Sequence, residues 1–223
     1  MRDVLGILHM NIKKFCGEFQ KLKGKIIIGL TGAAASGKSA VLDRFRELGA
    51  FCVSTDALAK EVLTSGACYN RILQSFGPGV FLKDGSIDRK KLAKEVFSDK
   101  SKRKLLESIL HPEILNHTLA LIKRSHEKMI IVEVPLLFEA GLEKCFALTV
   151  CVDAPRDLRL KRAVARGWTP AEFRRRDAAQ LAAGQKAAKA DVVIGNEGSL
   201  KDLRGKTDNL FKFLDGAYQN GGK

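Results

Sequence analysis

The 223 residues suit one domain carrying insertions, and 45% apolar against 29% charged residues exclude a disordered chain, a collagen and a disulfide-stapled miniprotein. Lys and Arg number 39 against 25 Asp and Glu, a formal charge of +14 that fits a polyanionic partner, an anionic surface or solubility and does not choose among them.

In residues 1–24, Val4, Leu8, Ile12, Phe15, Phe19 and Leu22 recur at helical spacing, with Lys13, Lys14, Lys21 and Lys23 mostly off that face. This basic amphipathic extension suits packing on its own protein or weak contact with an anionic membrane surface, and Met10 offers an alternative start. Lys25–Leu30 is an apolar run that predicts a buried parallel strand, followed by a helix from Lys38 to a stop at Gly49. Phe51–Val53 predicts a second strand and Ala57–Leu63 a helix. Gly77-Pro78-Gly79 and Asp84-Gly85 break the next stretch, after which Asp88–Phe97 and Ser101–Leu110 read as basic helices. Lys128–Val134, Ala147–Val152 and Asp191–Ile194 are further strands. Asp157–Arg176 is basic and helical with a break near Gly167–Pro170, Leu200–Leu214 is a closing helix, and Gly216–Lys223 reads as a frayed tail. Buried strands alternating with helices make an α/β fold with a parallel sheet.

The five cysteines (Cys16, Cys52, Cys68, Cys145, Cys151) are odd in number and form no C-x-x-C pair, which predicts free thiols in a reducing compartment, without metal cluster or disulfide framework. No apolar run approaches the roughly 18 residues of a membrane span, and the N-terminus lacks the apolar core and cleavage site of a secretory signal. Cytoplasmic location is the expectation.

Gly32-Ala33-Ala34-Ala35-Ser36-Gly37-Lys38-Ser39 matches G-x-x-x-x-G-K-[ST], with an apolar strand before it and an amphipathic helix after it. In this arrangement Gly37 lets successive backbone N–H groups face phosphate oxygens, Lys38 reaches the β- and γ-phosphates and the Ser39 hydroxyl ligates Mg²⁺. The loop therefore binds a nucleoside triphosphate. No Asn-Lys pair occurs, which removes the guanine motif of a regulatory GTPase, and a motor ATPase needs more chain. The loop Gly195-Asn196-Glu197-Gly198 follows the last strand, where it can touch an adenine ring. The basic helical segment stands where small-molecule kinases carry a lid that excludes water from the reactive phosphate.

Over residues 25–214 the chain resembles the dephospho-CoA kinase family, on Gly29–Ser39, Val53-Ser54-Thr55-Asp56, Ile87-Asp88-Arg89, Leu110-His111-Pro112, Val134–Glu139, the Arg-rich stretch through Gln180, and Ala190–Gly198. The resemblance implies a P-loop kinase with a parallel five-stranded sheet, a helical substrate subdomain and a helical lid, using ATP and Mg²⁺ to phosphorylate the ribose 3′-hydroxyl of dephospho-CoA. Divided accordingly, 1–24 is the extension, 25–56, 118–156 and 190–215 the nucleotide-binding core, 57–117 the substrate subdomain, 157–189 the lid and 216–223 the tail.

The resemblance further implies that Asp56 is the catalytic carboxylate beside Lys38, and that Gly32, Ala35, Ser36, Gly37, Lys38, Ser39, Ala40 and Asn196 bind ATP. It places Arg162, Arg166 and Arg176 in the lid and Arg89 and His111 with Asp56 at the substrate. Glu133 ends a strand where an acid holds Mg²⁺ through water, and Glu139 shares that ambiguity with a plain surface acid. Read bottom-up, Asp56 is equally a helix N-cap, each lid arginine a solvated charge and His111-Pro112 a helix break. Ala33, Ala34 and Ala35 depart from the family's Gly-Ile-Gly, Ala40 from its Thr and Ser54 from its Asp; Ala35 is strained if its φ is positive. A nucleoside or nucleotide kinase of the same fold and a basic nucleic-acid-binding NTPase are the alternatives; one Trp, two Tyr and no RNA-binding signature speak against the latter.

Overall fold

The computed structural model describes residues 12–221, which gather into two compact units. One comprises Cys16–Ser54 and the chain from Ile122 onward; the other comprises Thr55–Leu121 with residues 12–15. In the first, β1 (Ile26–Gly32), β2 (Phe51–Ser54), β3 (Met129–Glu133), β4 (Leu148–Asp153) and β5 (Val192–Gly195) form one parallel sheet in the order β2-β3-β1-β4-β5. Strands buried on both faces must be apolar almost throughout, and every residue of β3 is buried, as are the last six of β1. Central β1 pairs Ile28 with Ile131 of β3 on one side and with Leu148 of β4 on the other. From β1 the chain first crosses to the edge strand β2 and returns to β3 between them, then passes to the other side of β1 for β4 and β5. The carboxyl end of β1 is therefore the switch point at which open α/β sheets bind ligands.

Helices α2 (Lys38–Glu47) and α10 (Leu200–Gly221) cover one face, with Val41, Leu42, Phe45, Leu203 and Leu214 buried on Ile28, Leu30, Ile131, Val150 and Val152. The Arg44 guanidinium donates two bonds to Asp208, at 2.6 and 2.8 Å, and clips α2 to α10. Helix α10 runs on to Gly221, past the Leu214 boundary read from the apolar pattern; residues 222 and 223 lie outside the described residues. The basic segment folds as α7 (Arg156–Ala165) and α8 (Pro170–Ala178), followed by α9 (Ala183–Lys189). Thr169 caps α8 by accepting from the Glu172 N–H, and Pro170 takes the first position, where its missing donor costs nothing.

Helix α1 covers residues 12–20. Phe15 and Phe19 of the amphipathic face are buried, and Phe19 meets Phe146 edge-on at 5.8 Å; Val4 and Leu8 lie outside the described residues. The packing that buries Phe19 brings Cys16 to Cys145, 129 residues away, and the two are joined in a disulfide. This corrects the reading of five free thiols: Cys52, Cys68 and Cys151 are free, whereas the partnership of Cys16 follows from a tertiary contact that spacing does not encode. Burial pushes the Cys52 thiol up to about 12 and that of Cys151 to about 11.

The second unit holds α3 (Thr55–Val62), α4 (Gly66–Phe76), a 3₁₀ turn at Pro78–Val80, α5 (Arg89–Ser98) and most of α6 (Lys100–Arg124). Val62, Cys68, Ile72, Val80, Ile87, Leu92 and Ile109 form its core. Asp88 starts α5 by accepting from the N–H groups of Lys90 and Lys91. Two local readings change. Helix α3 begins at Thr55, so Asp56 sits inside the first turn and is not the cap before Ala57. Pro112 lies within α6, which continues to Arg124 because Ile109 and Leu115 are buried on either side of it; that packing outweighs the roughly 3 kcal/mol an interior proline costs.

Candidate active site

The phosphate-binding motif spans the turn from β1 into α2. Gly32 has φ +150° and Gly37 φ +109°, and a Cβ would stand 2.3 Å from the Val152 carbonyl oxygen at the first and 2.2 Å from Asn196 Nδ2 at the second. Glycine is thus required at both for conformation and for space. Ala35 does carry a positive φ, +58°, the strain expected from its sequence, in a cluster with Ala163 and Phe173. Lys38 Nζ donates to the carbonyls of Gly32 (3.0 Å) and Ala33 (3.1 Å), which folds the ammonium across the loop. Gly37 caps α2 with no side-chain bond to its first N–H groups, so these orphan donors and the positive end of the helix face outward with exposed Ser39. Buried Glu133, at the end of β3, is in register with Leu30 of β1 and Ser54 of β2.

Beside the loop lies a cavity of about 370 Å³, lined by Gly37, Ala40, Arg162, Arg166, Asn196 and Leu200 among others, and apolar over most of its wall. Asn196 builds this corner. Its Nδ2 donates to the Ser36 carbonyl at 2.8 Å, while its Oδ1 and backbone oxygen accept from Arg162 Nη2 at 3.2 and 3.1 Å. The other terminal nitrogen, Arg162 Nη1, is buried with no partner among the described residues. Burial first, and the charge of Arg166 second, push the Arg162 guanidinium below its ordinary value, with Glu197 opposing. Two arginines repelling each other at a cavity mouth favour an anionic guest.

Gly32, Ala35, Ser36, Gly37, Lys38, Ser39, Ala40, Asn196, Arg162, Arg166 and Glu133 all belong to the sheet unit. Arg176 belongs to it too but does not line the cavity; its guanidinium lies 4.2 Å from the centre of the Trp168 ring and donates to Glu172. Asp56, Arg89 and His111 belong to the second unit. The Asp56 carboxylate is exposed in the first turn of α3, two residues past the last residue of β2. Arg89 donates to the Lys60 carbonyl at 3.1 Å. His111 is half-buried in α6, and burial lowers its imidazole below the ordinary value.

Two residues escaped the sequence reading. Lys186 is fully buried, pairs with Glu139 at 3.0 Å and donates to the Pro135 carbonyl, and Glu139 also accepts from the Leu181 N–H at 2.7 Å. This gives Glu139 a structural partner that ties the segment after β3 to α9. Arg159 is also buried, and its spacing of three and seven from Arg162 and Arg166 was the available signal, since those positions share one helix face.

A parallel sheet in this order, with a G-x-x-x-x-G-K-S loop leading from its central strand into a helix, defines a P-loop kinase. Residues 26–202 match the family model described as CoaE, dephospho-CoA kinase. A Bacillus licheniformis dephospho-CoA kinase is 38% identical over 193 residues, covering 83% of this chain and 94% of the relative. A crystal structure from Thermus thermophilus superposes with TM-score 0.76 at 34% identity, covering 85% of this chain and 98% of that one. The dephospho-CoA kinase from Campylobacter jejuni gives TM-score 0.63 at 27% identity, over 84% and 96%. The chain belongs to the dephospho-CoA kinase family.

Proposed function

We infer that this protein transfers the γ-phosphoryl group of ATP to the ribose 3′-hydroxyl of dephospho-CoA, giving CoA and ADP. The observation that carries the reading is the built phosphate loop: required glycines at 32 and 37, Lys38 across the loop and uncapped N–H groups at the start of α2. Backbone N–H groups from Gly32 to Ala40 hold the phosphates, and Lys38 follows the charge that develops on the transferring group. The cavity at Asn196 takes the adenine ring, for which its volume and apolar wall suffice, with Arg162 and Arg166 directed to the phosphates. Arg176 supports the lid formed by 157–189 through its stack on Trp168.

Asp56 accepts the proton of the ribose hydroxyl. A carboxylate is a weak base for an alcohol, yet it serves in a loose transition state, where the proton leaves late and positioning dominates. Arg89 and His111 contact dephospho-CoA from the helical unit. The exposed Ser39 hydroxyl and the Glu133 carboxylate are hard oxygen donors that fit Mg²⁺, the first directly and the second through water. Held by these two residues, Mg²⁺ would supply charge neutralisation at the β- and γ-phosphates. We place the enzyme in the cytoplasm; among the described residues no helix is long and apolar enough to cross a membrane.

A coupled ADP-release assay tests the reading, comparing dephospho-CoA, adenosine and nucleoside monophosphates as acceptors, with Mg²⁺ and with excess chelator. Turnover on dephospho-CoA that the chelator abolishes is expected. Turnover only on a nucleoside or a monophosphate would overturn it.

A further inference from the structure

Arg159 is the one arginine buried among the described residues, 3% exposed. Nε donates to the Ala154 carbonyl at 3.1 Å, in the turn that leads into α7. Nη1 donates to the Ala34 carbonyl of the phosphate loop at 3.3 Å and to Asp177 of α8 at 2.5 Å. Asp177 also accepts from Arg156, and the guanidinium lies 5.6 Å from the centre of the Phe173 ring. Phe173 in turn shares an apolar cluster with Ala163 of α7 and with Ala35, the loop residue held at positive φ. One side chain therefore joins the start of its own helix to two elements that are 125 and 18 residues away in sequence.

We propose that Arg159, held by Asp177, is a positioning residue for ATP that fixes the Ala34–Ala35 segment of the loop against α7 and α8. Its charge is enclosed by protein, so it acts through the loop and through its own helix. An unpaired buried guanidinium is costly, which makes the loop, α7 and α8 move as one body while the ion pair is intact. Arg162, one turn further along α7, and Arg166, the residue that caps its end, are thereby held at a fixed distance from the N–H groups of Gly37 and Lys38. Ala35 fits the same picture, because its methyl gives Phe173 and Ala163 a surface that glycine lacks.

The inference rests on ATP binding at this loop, and the chain's single tryptophan, Trp168, packs against the same cluster and reports on it. ATP is titrated into the full chain while Trp168 fluorescence is followed, and steady-state constants are measured for ATP and dephospho-CoA. Arg159→Met keeps the stem and removes the donors; Asp177→Asn keeps the shape and removes the charge; Arg159→Lys restores one donor. Arg159→Met is expected to weaken ATP about tenfold, the effect of one charge-assisted hydrogen bond, with the KM for dephospho-CoA unchanged and partial recovery in Arg159→Lys. A folded Arg159→Met with wild-type ATP affinity, or equal weakening toward both substrates, would overturn it. If Arg159→Met does not fold, Asp177→Asn decides: severalfold weaker ATP binding supports the proposal and unchanged binding refutes it. Failure of the nucleotide reading itself shows separately, as a wild-type protein that does not respond to ATP.

Discussion

Replacing Asn196 by alanine isolates the corner that joins the phosphate loop to the arginine helix. Asn196 is 5% exposed, so water cannot take over its bonds. The change removes a neutral hydrogen bond and leaves the buried Ser36 carbonyl without that donor, a loss of about 1–2 kcal/mol. It also removes one of the two acceptors of Arg162 Nη2, while the backbone oxygen of residue 196 keeps the other, so about 1 kcal/mol of the usual charged-bond value is lost. The sum is about 2–3 kcal/mol, which in a chain of this size lowers Tm by about 4–12 °C. Because the same bonds shape Gly37 and Arg162, the KM for ATP should rise about tenfold or more, with the KM for dephospho-CoA little changed. Differential scanning fluorimetry and the ADP-release assay read the two effects. A variant that melts within about 1 °C of wild type, on a scale of 2–4 °C per kcal/mol, with unaltered KM for ATP would refute the reasoning.

Asp56→Asn should shift Tm by no more than a few °C, since an exposed first-turn carboxylate contributes about 0.3–1 kcal/mol to its helix, while kcat falls at least about a hundredfold; retained turnover removes Asp56 from catalysis. Burial depresses the His111 imidazole in the folded state, so the unfolded chain takes up the proton first. Stability is full above the unfolded value of about 6.5 and is lost as pH falls below it. Urea midpoints at several pH values should show a smaller acid loss for His111→Gln than for wild type, and identical profiles would exclude the effect. Thiol titration of the denatured, unreduced protein should count three reactive cysteines and five after reduction, with reduction costing the native protein about 2–4 kcal/mol; five thiols at the outset would remove the Cys16–Cys145 bridge.

The charge of +14 divides between these findings. Arg162 and Arg166 line the cavity and Arg159 is enclosed, whereas Lys90, Arg103 and Lys104 of the helical unit are exposed, and nothing in the structure assigns them a catalytic use.

Several features were legible from residues close together in the chain. Each of the five apolar runs became a strand with ends within two residues of those expected; β1 and β3 are buried on both faces, which demands an unbroken apolar run. The phosphate loop was readable because its glycines, lysine and serine are consecutive and their geometry is local. The break at Gly167–Pro170 and the strain at Ala35 followed from single-residue backbone preferences. Other features depended on contacts far apart in sequence. Asn196 reaches Ser36 across 160 residues, Arg159 reaches Ala34 across 125 and Cys16 reaches Cys145 across 129. Pro112 stayed inside a helix because tertiary burial outweighed its local preference. Sequence by itself determined the elements and the phosphate loop, since periodicity and backbone chemistry act over a few residues. Only the tertiary structure decided which arginine faces the cavity and which is buried beneath the loop, because all the arginines of that basic stretch carry the same charge and differ only in what the fold packs against them.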